Sequence, residues 1–306
     1  MHVALFLVQL AFASGALAGK LALNGEHVDP TALAFVRAAG GAMAFQLARL
    51  AFQSLRRHRP DAESAAPVAR PTRRDHALLA LYAVLGVCVN QFFFLHGLKR
   101  ASATSTALLA ATIPVFTALV ATATRQEPIT RRTAFGVCLA TVGVLTLTGV
   151  RDLSIGNLLV TINSLSYAAY LVGVRPLLQR LGALVTIAWV FTYGAFILAP
   201  IGLWPLLRDA PVWTPAGAWL VAWFIAVPTI FAYLANAWAL GRARASVVAG
   251  YIYLQPLLVL VCAGKLLGEA LTLRVVAAGA AILAGVTVVA TRRREAPAPS
   301  PSKSSE

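Results

Sequence analysis

Charge is what this chain has least of. Only 12% of its 306 residues are charged and eleven are acidic, whereas a soluble domain carries about a quarter charged residues. With 59% of residues hydrophobic, a water-soluble body of this size would be left with large apolar patches on its surface, which excludes an ordinary soluble enzyme. Disorder is excluded too, because the formal charge of +15 sits beside too much Leu, Val, Ala and Phe. Cysteine is scarce. Cys88, Cys138 and Cys262 show no CxxC spacing and no His partner, so they read as small apolar side chains rather than a disulfide framework or a metal site. No nucleophile elbow, phosphate-binding loop, HExxH or dinucleotide fingerprint occurs, so neither catalysis nor a cofactor is expected. Acids are missing from membrane depth as well: all eleven fall in loops, tails or span ends. That leaves no buried carboxylate for proton coupling.

What the chain does have is ten apolar runs: Val3–Leu23, Thr31–Leu50, His76–Leu98, Thr104–Thr124, Thr133–Val150, Gly156–Val174, Ala183–Leu206, Pro215–Leu240, Val247–Leu267 and Leu273–Ala290. Runs of about 20 apolar residues match the hydrocarbon thickness of a bilayer. Each must be helical, since a backbone in lipid has to satisfy its own hydrogen bonds. The ten-residue apolar–polar alternation of a barrel is absent. Placing the N-terminus inside puts eighteen Lys and Arg on inside-facing segments and seven on outside-facing ones, with Arg37 within the second run. That bias predicts a multi-pass plasma-membrane protein with both termini cytoplasmic. It also accounts for the basic balance without nucleic acid. Residues 56–75 read as a cytoplasmic loop and 292–306 as a disordered cytoplasmic tail. The first run resembles a secretory signal but lacks a basic start, and is read as a retained span.

Sliding the chain over itself by 142 residues exposes a repeat. Pro114 falls over Pro256, Glu127 over Glu269, Thr130 over Thr272 and Gly143-Val144 over Gly285-Val286, with twelve identities across residues 98–144. Lys20 and Arg175 end the first helix of each half in a similar way. Five spans per half is an odd number, so the second copy is expected upside down, the inverted arrangement used by secondary transporters. The expected domains are residues 1–150 and 151–291, and the fold class is an all-α polytopic membrane protein of ten transmembrane helices in two inverted five-helix repeats.

The segments GLKRASATSTALLAATIPVFTALVA with QEPIT, and ASVVAGYIYLQPLLVLVCAGKLLGEALT, resemble the paired motifs of the drug/metabolite transporter superfamily, EamA type. The first half carries RQEP where that family more often has Leu-Gly-Glu. The resemblance covers essentially the whole chain. It implies two inverted five-helix bundles, export of small metabolites, often amino acids, and a central cavity built from helices 1, 3, 4, 6, 8 and 9.

Polar groups at mid-span are the candidates for a substrate site, because stranding them in lipid is costly. They are Gln9, Asn90, Gln91, Asn163, Ser166, Tyr167, Tyr233, Asn236, Tyr253 and Gln255; interhelical hydrogen bonding is the alternative use of such groups. Pro114 and Pro256 read as mid-helix kinks and candidate hinges. Glu127 and Glu269 read as caps of the helices that start near Thr130 and Thr272. Arg37 is expected to extend towards the outer interface, with a gate or a contact to a substrate carboxylate as the second choice, and His96 to stay interfacial. Trp204 and Trp213 suit an aromatic belt, and Gly15-xxx-Gly19 and Gly264-xxx-Gly268 suit close helix contacts.

The expected function is a secondary transporter, an exporter, of small neutral or zwitterionic metabolites by alternating access, with the lipid bilayer and one small-molecule substrate as its partners, as a monomer or homodimer. The alternatives are a nucleotide-sugar exchanger and a membrane-embedded enzyme acting on lipid-linked substrates. The orientation is testable: cysteines introduced at Ser64 and Ser304 should resist an impermeant thiol reagent in intact cells. Ready labelling from outside would reverse the topology.

Overall fold

Lipid offers no partner to a backbone N–H or C=O, so apolar runs of this length must close their hydrogen bonds within helices. The computed structural model of the chain follows that rule. It describes residues 1–24, 28–57, 70–126, 131–148, 154–208, 215–269 and 272–290, and no strand occurs among them. The helices are α1 (His2–Asn24), α2 (Pro30–Arg57), α3 (Arg73–Arg100), α4 (Ala103–Ala123), α5 (Arg131–Thr148), α6 (Ile155–Leu181), α7 (Ala183–Arg208), α8 (Pro215–Leu240), α9 (Ala245–Leu267) and α10 (Leu273–Ala290). Eight of them are long and apolar enough to cross a membrane; α5 and α10 offer shorter apolar stretches, Ala134–Gly143 and Leu273–Gly285. An 18-residue helix reaches about 27 Å at ~1.5 Å per residue, slightly under the ~30 Å hydrocarbon core. Among the described residues, eight of the ten expected spans thus meet that length and apolarity, and α5 and α10 are shorter apolar helices.

Helix ends are set by local chemistry. At the start of α3, Thr72 Oγ1 accepts from the Asp75 amide (3.3 Å) while the Asp75 carboxylate accepts from the Thr72 amide (2.7 Å), a reciprocal cap. Ser102 and Ser154 cap α4 and α6 in the same manner with one bond each. At the far end of α9 the chain turns through Gly268 in the left-handed region (φ 65°), a conformation that glycine adopts without a steric penalty.

Two helices widen locally into π turns, α3 at Val84–Val89 and α8 at Ala226–Phe231. The two segments are 142 residues apart. Two other helices are interrupted. In α4 the break falls at Ala111–Thr112, after which a new helix starts at Ile113; in α9 a 3-10 turn at Tyr251–Tyr253 precedes Leu254–Leu267. This corrects the reading of Pro114 and Pro256 as mid-helix residues. Each sits in the first turn of the helical segment that follows the break, where a missing N–H leaves no bond unmade.

Helices α5 and α10 pack chiefly on each other, and their contact is reciprocal. A Cβ on Gly143 would fall 2.7 Å from Ile282 N and 2.9 Å from Ala278 O; one on Gly285 would fall 2.5 Å from Ala140 N and 2.6 Å from Gly136 O. Gly143 and Gly285, Gly136 and Ala278, and Ala140 and Ile282 are all pairs at the 142-residue offset. The contact also runs the two helices antiparallel. Of the two GxxxG pairs, only the first makes a close contact: a Cβ on Gly15 would lie 2.7 Å from Pro228 Cβ, and one on Gly19 3.2 Å from Phe224. A Cβ on Gly264 would meet only Glu269 O, at an ordinary 3.8 Å, and Gly268 serves as the turn residue instead. The 58–69 part of the expected loop, the tail from 291 on, Glu127 and Trp213 lie outside the described residues. Trp204 stands exposed near the end of α7, as a belt residue would.

Gly143→Ala and Gly285→Ala should each destabilise the protein by about 1–3 kcal/mol, the usual range for overpacking, because backbone atoms obstruct the new methyl group. Gly264→Ala should change stability by less than about 0.5 kcal/mol. Thermal unfolding of the purified variants in detergent reads the difference.

Candidate functional site

Polar side chains from seven helices meet in one cavity at the centre of the bundle. Gln9 comes from α1, Asn90 from α3, Asn163 and Tyr167 from α6, Tyr233 and Asn236 from α8, and Gln255 from α9; Arg37 of α2 and Thr106 of α4 also line the space. The side chains are paired rather than loose. Asn90 Nδ2 donates to Asn163 Oδ1 (2.6 Å), and the Tyr233 hydroxyl donates to Asn90 Oδ1 (3.1 Å). Asn236 Nδ2 donates to the Tyr167 hydroxyl (3.1 Å), and Gln255 Nε2 donates to Gln9 Oε1 (2.6 Å). Phe12, Phe94 and Phe224 wall the remainder; Tyr233 makes edge contacts with Phe12 (5.7 Å between centroids) and, behind the lining, with Phe191 (5.0 Å).

The π turn in α8 explains where Arg37 goes. Pro228 cannot donate in a helical ladder, and the widened turn brings the Thr229 side chain and the Pro228 carbonyl to the α2 face. Arg37 Nε donates to Thr229 Oγ1 (2.6 Å), which itself donates to the Phe224 carbonyl (2.9 Å), while one terminal nitrogen of Arg37 lies 3.5 Å from the Pro228 carbonyl. The guanidinium carbon stands 4.5 Å above the Phe224 ring, close enough for a cation–π interaction. Arg37 is 5% exposed. The expectation that it extends to the outer interface is thus overturned. Its partners lie inward, on a helix 192 residues further along the chain.

Three expected site residues are placed elsewhere. Gln91 is buried but does not line the cavity, being about 100° round the helix from Asn90. Ser166 donates to the Leu85 carbonyl (2.8 Å), fastening α6 to the π turn of α3. Tyr253 packs against the apolar cluster around Leu108, Ala278 and Ile282. Sequence reasoning missed Thr106 and Thr229 outright and misread Arg37. The available signal was the pair Gly40-Gly41 just after Arg37: Gly41 lets Phe191 approach, and Gly40 lets Ile225 approach, marking this stretch of α2 as packed against protein rather than lipid.

Glu269 caps a helix, but not its own neighbour. Its carboxylate accepts from the Ala103 amide (2.6 Å) and the Thr104 amide (3.0 Å), at the start of α4. A carboxylate at a helix N-terminus is favourable for the reason expected; the helix is one from the other half of the chain. Nearby, Lys20 Nζ donates to the carbonyls of Leu98 (2.8 Å) and Ala101 (2.6 Å). Arg175 Nε donates to the Ala243 carbonyl (2.8 Å), and Ala243 is the 142-offset counterpart of Ala101. Elsewhere Arg180 pairs with Asp75, and His96 Nε2 lies 3.0 Å from Thr31 Oγ1, outside the cavity lining.

Comparison with known proteins gives a consistent set of relatives. The EamA-like transporter family matches the chain twice, over residues 1–149 and 154–291. An uncharacterized transporter of Archaeoglobus fulgidus is 25% identical over 304 residues, covering 96% of this chain and 98% of its own length. A second uncharacterized transporter of the same organism is 25% identical over 214 residues, 69% of this chain and 76% of its own. A solved crystal structure superposes with a TM-score of 0.60 over 92% of this chain and 95% of that chain, at 18% identity, which is a likeness of fold.

Asn90 is the node of the polar network. Asn90→Ala would leave Asn163 Oδ1 and the Tyr233 hydroxyl without these bonds. It should destabilise the purified protein by about 1–3 kcal/mol, the penalty of a buried polar group left unmatched, with a smaller loss for Tyr233→Phe, which keeps the ring contacts. Thermal unfolding in detergent checks the order.

Proposed function

The chain belongs to the EamA-like transporter family, and we propose that it carries a small polar metabolite through the central cavity by alternating access of two inverted halves, outward across the plasma membrane with both termini cytoplasmic. The observation that carries this reading is the convergence of Gln9, Asn90, Asn163, Tyr167, Tyr233, Asn236 and Gln255 on one cavity. These residues come from both family-matched segments and bond across them. A bundle whose only need was adhesion could spread such bonds along its interfaces; here they surround space.

Several features support inverted halves: the reciprocal antiparallel contact of α5 with α10, the π turns at matched positions in α3 and α8, and the matched Lys20 and Arg175 caps. On this reading α5 and α10 are the fifth and tenth crossings. The helix breaks before Pro114 and Pro256 are the hinges, since bending there disturbs no continuous ladder. Glu269 on the α4 amides closes one end, and that clasp must open in the cycle.

Membership of a transporter family favours transport over the embedded-enzyme alternative. A nucleotide-sugar substrate would bring two phosphates, and Arg37 is the one cation among the described lining residues. The expectation of a neutral or zwitterionic substrate rested on the absence of acids at membrane depth, with Arg37 counted a thin partner for a net charge; the burial of Arg37 in the cavity wall makes it a stronger one.

Flux of a labelled metabolite panel in proteoliposomes, with and without the protein, tests the reading. Asn163→Ala, Asn236→Ala and Gln255→Ala should each lower the protein-dependent flux at least tenfold while the protein still elutes as a folded species. Variants that all transport like the parent chain would remove the cavity from the mechanism.

A further inference from the structure

Arg37 carries a charge that nothing in the cavity neutralises. The guanidinium stays protonated in any protein setting and has five N–H donors. Those with partners reach a hydroxyl and, at 3.5 Å, a backbone carbonyl. No described residue forms an ion pair with Arg37, and no acid is among the described residues that line the cavity. The Phe224 and Tyr233 rings, 4.5 and 5.8 Å from the guanidinium carbon, offset part of the burial but supply no counter-charge. A buried ion without a counter-ion is costly, and a cavity that holds one is prepared for an anion.

A second observation concerns the same cavity. Thr106, on α4, is one of its lining residues, and its buried hydroxyl has no hydrogen-bond partner. Buried hydroxyls are rarely left unmatched, so this group also awaits a partner that the protein does not provide.

The charge balance narrows the class. Resting on the reading of this cavity as the transport site, we propose that the substrate is a small organic monocarboxylate of net charge −1, its carboxylate on Arg37 and its hydroxyl or carbonyl groups on Thr106 and the carboxamides. The planar fork of a guanidinium matches a carboxylate with two parallel bonds. A zwitterion brings an ammonium as well, for which the cavity has no acid, and the rings of Phe224 and Tyr233 already lie under Arg37. A phosphate ester brings more negative charge than one guanidinium matches. Net transfer of such a substrate moves charge. An inside-negative potential of 100 mV would drive export towards a concentration ratio of about 50-fold with no coupling ion.

The test uses the purified full-length chain in proteoliposomes with the potential set by a potassium gradient and valinomycin. The probes are charge-matched: gluconate and N-acetylglycine as monocarboxylates, glucitol and N-acetylglycinamide as their neutral analogues, and threonine and alanine as zwitterions, within a panel spanning the same three classes. Protein-dependent uptake is expected for monocarboxylates, rising with an inside-positive potential, and background uptake for the other two classes. Arg37→Gln should lower that uptake at least tenfold and Arg37→Lys should lose less, with elution profile and thermal unfolding reporting the fold of each. The potential dependence of the unaltered protein needs no variant. Uptake of neutral or zwitterionic probes, indifferent to potential, would overturn the monocarboxylate inference and leave the transporter reading standing. No protein-dependent uptake of any class would overturn both.

Discussion

Apolar helices in lipid gain nothing from hiding one greasy surface against another, so this bundle depends on polar bonds and close backbone approach for its cohesion. The bonds fall where the chain's first and second halves meet. Asn90 bonds Asn163, Gln255 bonds Gln9, Arg37 bonds Thr229, and Glu269 bonds the Ala103 and Thr104 amides. Each joins a residue before position 150 to one after it. Such bonds are worth about 1 kcal/mol each, or somewhat less, in membrane bundles. They are strong enough to define one arrangement of the halves and weak enough to be exchanged for bonds to a ligand. On the transport reading proposed above, the groups that hold the two halves together are also the groups available to a polar solute.

Much of the fold was legible because the solvent dictates it. Apolar runs in a chain with few charges have one structural outcome, and within the described residues each of the ten runs is helical over most of its length. Candidate polar residues were legible for a related reason: a carboxamide in the middle of such a run must face protein. What that rule leaves open is which protein surface it faces. Asn90 and Gln91 look alike in sequence, yet a single step round the helix sends one to the cavity lining and leaves the other buried behind it, its carboxamide without a hydrogen-bond partner. Ser166 bonds a carbonyl on α3 that only the folded chain brings near.

The misread residues share a cause. Arg37 was judged from its depth in its own run, and Glu269 from the helix that follows it, both local rules. In each case the partner lies far along the chain, at Thr229 and at Ala103 and Thr104. The π turns were equally hidden. The one in α8 contains Pro228, which removes a donor from the ladder. The one in α3 has no proline; there a Cβ on Gly86 would stand 2.4 Å from the Tyr170 ring. Different residues produce the same widening at equivalent positions, so the shape is preserved where the letters are not.

That widening ties the architecture to the charge. A regular α8 would point its carbonyls along its own axis, leaving Arg37 with a wall of Phe224 and Tyr233 and no oxygen. The π turn supplies Thr229 and the Pro228 carbonyl instead, and thereby makes a buried cation tolerable without neutralising it. An acid in place of Thr229 would satisfy the guanidinium fully, and a cavity so satisfied would have less use for an anionic ligand. On the monocarboxylate proposal, partial satisfaction is the useful state. The empty site remains folded because a hydroxyl, a carbonyl and a ring share the charge. The occupied site gains a true counter-ion, and the difference between the two is available to close one end of the bundle and open the other.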